Sequence, residues 1–200
     1  MSAFLGPIHF WVYGKIQVQE ELTARIAEEG VKRGWISQEE AARYVNEEDR
    51  PLDELIDTSN IHGWLQGCIH DAENRYAKLL GSILKEDAGR QQDILKIAEA
   101  FGQERALEEG SSASEIYKAF EDTFVNGMPC DRVNVVTSQE EDAFCWEQTV
   151  DLHAALFENE GLSPELYDNI RSRVMKGMTE KTAFRVQCED GIHYMLKKAA

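Results

Sequence analysis

Ile61, Leu65, Cys68, Ala72, Tyr76, Leu79 and Ile83 follow one another at steps of three and four residues. That spacing holds all of them on one stripe of a helix of period 3.6, and it predicts a helix over about 60–86. Thr58-Ser59-Asn60 supplies several N-caps for it. An earlier stretch reads much the same way. Residues 8–26, IHFWVYGKIQVQEELTARI, lie without a gap on residues 61–79, IHGWLQGCIHDAENRYAKL. Ile8, His9, Trp11, Gly14, Ile16, Glu20 and Ala24 match Ile61, His62, Trp64, Gly67, Ile69, Glu73 and Ala77. Such a match can arise by chance when every offset is searched, but the shared Trp and His are rare residues and favour an internal repeat. Each unit is then a long helix followed by a shorter one, 8–48 and 61–108. Two units make a bundle core more readily than a solenoid.

The rest of the chain is read from caps and periodicity. Pro7 opens the first helix, which runs to about Glu29 with Leu5, Ile8, Val12, Ile16 and Ile26 on one stripe. Ser37 with Glu40 forms a capping box for a short second helix. After the 60–86 helix come Ile94, Leu95, Ile97, Ala98 and Phe101 in a fourth, then a fifth capped by Ser112 and Glu115. Arg132–Thr137 is β-branched and short, a strand or an extended loop. Ser138 with Glu141 reads as the cap of a sixth helix over 139–159, with Phe144, Cys145, Thr149, Leu152 and Leu156 on its apolar side, flanked by Trp146, Val150, His153 and Phe157. Ser163-Pro164-Glu165 starts a seventh, to about Lys181. In the tail, residues 183–196 alternate around Asp190-Gly191, a strong hairpin signal. The expected fold is mostly α: one domain over 1–200, a bundle of six or seven helices, with a small β-hairpin or three-stranded appendage near the C-terminus.

Composition narrows the partners. The chain carries 21 Lys and Arg against 37 Asp and Glu, net −16. Nucleic acid and anionic membrane surfaces both demand clustered basic residues, so neither is an expected partner. No apolar run approaches the roughly 20 residues of a membrane span. The four cysteines, Cys68, Cys130, Cys145 and Cys188, form no Cys-x-x-Cys pair, and the N-terminus lacks a basic region and a cleavage site. Free thiols and a cytoplasmic location are the natural reading. Partners reduce to a small molecule or a protein, including a second copy in a homo-oligomer.

No phosphate-binding glycine loop, nucleophile elbow or His-Glu-x-x-His is present. His70-x-x-Glu73 reverses the Glu-x-x-His order of di-iron bundles. The candidate residues are therefore the histidines and their aromatic neighbours. His9 and Glu20, like His62 and Glu73, are eleven residues apart, about 16 Å along a helix, too far for one metal. Packed antiparallel, the two helices bring His9 level with Glu73 and His62 with Glu20; packed parallel, they bring the two histidines together. Either arrangement gives ligand pairs, so His9, His62, Glu20 and Glu73 are a candidate metal set. The plainer alternative is that each His hydrogen-bonds near a helix start beside its Trp. His153, among Trp146, Val150 and Phe157, could ligate haem, act as a general base tuned by burial, or simply be satisfied by a polar neighbour.

The phrase FLGPIHFWVYGKIQVQEEL resembles that of small helical bacterial proteins of no assigned activity, as does CWEQTVDLH; the resemblance implies nothing about chemistry. The leading expectation is a protein that binds a small ligand, a transition metal or haem in an interior lined by His9, His62, His153, Trp11, Trp64 and Trp146. The rivals are an acidic interaction module or homo-oligomeric scaffold, and an enzyme with His153 as general base.

Overall fold

The stripe at 61–83 is buried almost throughout: Ile61, Leu65, Ala72, Tyr76, Leu79 and Ile83 are core residues, and Cys68 is half-buried. They sit on a 26-residue helix, Ile61–Glu86, in the computed structural model, which describes residues 4–188 and 190–199. Among those residues there are eight α-helices and four strands: α1 Pro7–Lys32, α2 Gln38–Ala41, α3 Leu52–Leu55, α4 Ile61–Glu86, α5 Gln91–Gln103, α6 Ala113–Thr123, β1 Asn134–Gln139, β2 Ala143–Gln148, α7 Ala154–Asn159, α8 Glu165–Met178, β3 Phe184–Cys188 and β4 His193–Lys198. The fold is mostly helical, with a small antiparallel sheet toward the C-terminus. No helix is long and apolar enough to cross a membrane among the described residues.

Helices α1 and α4 run parallel. His9 meets His62, Tyr13 meets Trp64 and Glu20 meets Arg75, three contacts that advance in the same direction along both helices. A parallel pair needs a connection that returns the length of α1, about 39 Å at 1.5 Å per residue. Residues 33–60, with α2 and α3, make that return. The helices that follow α1 and α4 are unequal: α2 has 4 residues and α5 has 13. The facing halves of α1 and α4, with Leu52, Ile56, Val125 and Met128, form a small apolar core of their own. The larger core joins the other halves to α5, α6, α8 and the sheet. There α5 and α8 press backbone to backbone, because a Cβ on Gly102 would strike the carbonyl of Val174 and one on Gly177 that of Glu99.

The sheet corrects one expectation. Residues 139–159 are not one helix. Residues 143–148 form β2, antiparallel to both β1 and β4, in the order β1-β2-β4-β3. Phe144, Trp146 and Gln148 point inward while Ala143, Cys145 and Glu147 are half-buried, a period of two. Ser138 and Glu141 cap nothing; Glu140 N–H donates to the Ala143 carbonyl at 2.8 Å and closes the β1–β2 turn. Helix is confined to α7. The appendage accordingly has four strands, not two or three. The tail forms the expected hairpin, β3 against β4. Gly191, at φ +74°, takes the left-handed conformation, and Asp190 Oδ1 accepts from the N–H of Ile192 and His193 at 2.9 and 2.8 Å. Glu189, within that turn, lies outside the described residues.

Candidate functional site

His9 and His62 come together at the start of the parallel pair, with their Nε2 atoms 3.4 Å apart. His9 is buried and His62 exposed. The Gly6 N–H donates to His9 Nδ1 at 2.9 Å, so Nδ1 offers a lone pair and the neutral ring keeps its proton on Nε2. That proton faces His62. A metal-binding histidine does the reverse: it donates from its second nitrogen and coordinates through the first. His9 is thus built as a helix cap and a donor to His62. The two glutamates point elsewhere. Glu20 pairs with Arg75, and Glu73 faces His153. The candidate metal set thus divides over three places, His9 with His62, Glu20 with Arg75 and Glu73 with His153, and no three His, Cys, Asp or Glu side chains converge as metal ligands among the described residues.

The tryptophans also separate. Trp64 packs on Tyr13 beside Glu20 and Arg75. Trp146, on β2, stacks on Tyr194 with ring centres 5.2 Å apart. Trp11 donates from Nε1 to Asp122 Oδ1 at 2.7 Å and lies under the ammonium of Lys15, 4.2 Å from the ring centre.

His153 precedes α7 rather than lying within a long helix. It is 2% exposed. Its ring stacks on Tyr167 at 3.7 Å between centres, and Nδ1 is 3.2 Å from Glu73 Oε1, close enough for an ion pair but off the line of a hydrogen bond. Nε2 has no hydrogen-bond partner among the described residues. Asp151 Oδ1 holds the backbone by accepting from the N–H of His153 and Ala154 at 2.8 and 2.9 Å. Burial raises the Tyr167 hydroxyl well above the ordinary tyrosine range. His153 lines none of the larger clefts. A general base must reach a substrate proton, and this imidazole is buried against Tyr167 and Glu73.

A different constellation is open. A cleft of about 400 Å³ lies between α1, the end of α6 and the loop into β1, walled by Trp11, Lys15, Glu121, Asn126, Met128 and Asn134. Lys15 is 6% exposed. No carboxylate lies within ion-pair distance of it among the described residues. Burial pushes its amine down from the ordinary lysine range, and Arg171 adds to that, while Glu121 and Asp122 pull the other way. The Trp11 face favours the charged form.

The polar wall is oriented by a carboxylate. Asn134 Nδ2 donates to Glu121 Oε1 at 2.5 Å, and Asn126 Nδ2 donates to Asn134 Oδ1 at 3.2 Å. An oxygen cannot face Glu121, so both amides are fixed in one sense. Asn126 Oδ1 is what remains, buried and without a hydrogen-bond partner among the described residues. Deeper in, Arg171 is also buried. It donates from Nη1 to Gln148 Oε1 at 2.6 Å and lies over Phe124 and Tyr194, with Nε unpartnered.

No family model matches this chain, and neither does any curated protein or solved structure.

Two clefts are larger, about 810 and 710 Å³, yet their charges are spoken for. Lys78 and Lys85 of the first are solvated, and in the second Glu21 pairs with Arg105 and Arg25 with Glu104. Volume does not single out a site; an unpaired buried charge does. Sequence reasoning placed Trp11 at a site but missed Lys15, Glu121, Asn126 and Asn134. One signal was available. Val12, Lys15, Ile16, Leu22, Thr23 and Ile26 share the buried face of α1, so Lys15 is a cation inside an apolar stripe, four residues after a Trp.

Proposed function

We propose that this is a cytoplasmic small-ligand-binding protein whose ligand is a small carboxylic acid held in the Lys15 cleft. One observation carries the reading: Lys15 is buried and has no carboxylate partner among the described residues, in a chain with 16 more acidic than basic residues. A buried charge is costly unless paired, and in a chain so rich in carboxylates nothing but geometry leaves this one alone. A ligand carboxylate would supply the missing partner. Arg132, exposed on the same wall, gives a second cation at the rim, and Asn126 Oδ1 asks for a donor, such as a hydroxyl, on the ligand. The free state of all four thiols agrees with a reducing compartment.

The test is a thermal-shift screen of small hydroxy and oxo acids, followed by calorimetry. A binder should raise Tm in proportion to ln concentration, and Lys15→Met should abolish the rise. If no acid moves Tm, or if Lys15→Met responds as the parent does, the reading fails. The competing reading is a protein contact or homo-oligomer through Ile8 and Phe10, which are 47% and 46% exposed on the first turns of α1. Light scattering that finds a monomer at every concentration removes it.

A further inference from the structure

We propose that Lys15 is a nucleophile that forms an imine with the carbonyl carbon of a small 2-oxo acid. This rests on the small-acid reading of the cleft and specifies its chemistry. An amine attacks a carbonyl only as the free base, and proteins obtain a free base near neutral pH by desolvating a lysine or placing it near another cation. Both devices are present. Lys15 is buried against the Trp11 ring, and Arg171 lies behind it as a second buried positive charge. The usual obstacle, a carboxylate clamped to the ammonium, is missing among the described residues. Glu121 sits on the cleft wall, anchored by Asn134, where it can relay a proton without gripping the amine.

The step balances without any co-reactant. The Lys15 Nζ lone pair forms a C–N bond to the carbonyl carbon. The C=O π pair moves to oxygen, which takes a proton, and nitrogen gives one up. The resulting hydroxyl is the donor that Asn126 Oδ1 lacks. It leaves as water, taking its C–O bonding pair and a further proton, while nitrogen closes the C=N bond and loses its remaining hydrogen. Amine and oxo acid become imine and water. The acid's carboxylate is left for Arg132 at the rim.

The experiment is borohydride trapping of the full chain with pyruvate, read by peptide mass spectrometry, beside the thermal shift given by the same acid. Reduction should add the mass of the acid less one oxygen to the peptide holding Lys15, several-fold above the adduct on exposed Lys78. Lys15→Arg, whose guanidinium is not a nucleophile at neutral pH, should lose the adduct. Adduct at Lys15 no greater than at Lys78, with the thermal shift intact, overturns the imine but leaves acid binding standing. Neither adduct nor shift, with pyruvate or any acid of the screen, overturns both. Because the parent chain itself reports the position of the adduct, the result does not depend on the variant folding.

Discussion

His153 and Lys15 are both almost wholly buried, yet their surroundings are opposites. His153 has a carboxylate beside it, an aromatic ring stacked on it, and no cleft at its door. Lys15 has a ring under it, a cleft in front of it and, among the described residues, no carboxylate within ion-pair reach. By sequence His153 is the more suggestive residue, since histidine titrates near neutral pH. The contrast shows why residue type ranks below access. A titratable group sealed away from open volume is a structural member, and one left beside a cleft without a charged partner is available to a ligand.

Removing each group should separate the two regions most sharply. His153→Ala opens a hole beside Tyr167 and strands Glu73, so it should cost about 2–4 kcal/mol, read as a lower urea midpoint at unchanged m. The ligand-induced thermal shift of the surviving folded protein should persist. A loss under 1 kcal/mol would mean that His153 is not packed as described.

Lys15→Met should behave in the opposite way. It exchanges an unpaired buried charge for an apolar chain of similar length, and such exchanges are often neutral or stabilising, here by about 0–2 kcal/mol. Stability should hold or rise while acid binding disappears. Destabilisation beyond 1 kcal/mol would give Lys15 a structural role and erase the contrast.

The same contrast explains what the sequence made legible. The α4 stripe, the Ser112–Glu115 box and the Asp190-Gly191 turn are local patterns, and each appears where the residues put it. Residues 139–159 hold two patterns at once. Phe144, Cys145, Thr149, Leu152 and Leu156 fit a helical stripe, while Phe144, Trp146 and Gln148 fit an alternating strand. The strand prevails because Trp146 stacks on Tyr194 and Gln148 meets Arg171, partners 48 and 23 residues away. Whether α1 and α4 run parallel was equally hidden, for it depends on the 33–60 return. Lys15 is buried by α6 and the β1 loop, more than 100 residues downstream. The site lies where distant segments meet, and periodicity within α1 shows only that Lys15 faces inward.

The pH dependence of Lys15 sharpens the comparison further. Its amine is depressed in the folded state, so between the folded value and the unfolded value of about 10.4 the unfolded chain binds more protons. Stability should therefore rise with pH through that window. Below the folded value the penalty is constant, and it fades as pH approaches the unfolded one. Lys15→Met lacks this component, so the difference between variant and parent in urea unfolding should shrink from pH 7 to pH 9.5. A difference that stays flat to pH 9.5 would mean that the burial of Lys15 leaves its amine near the ordinary range, and the imine chemistry would lose its support.

The smallest effects belong to the third region, the His9–His62 contact. His9→Ala removes the acceptor that caps the Gly6 N–H, and helix caps are worth about 0.5–2 kcal/mol. His62→Ala removes only the exposed partner and should cost under about 1 kcal/mol, the scale of one net hydrogen bond. His9 Nε2–H faces His62 Nε2 at 3.4 Å. A double-mutant cycle should therefore find a favourable coupling of under about 1 kcal/mol between the two positions. A coupling that instead grows on adding zinc, with the Gly6 amide losing its exchange protection, would show the rings rotating to coordinate. It would move the functional argument from the Lys15 cleft back to the histidines.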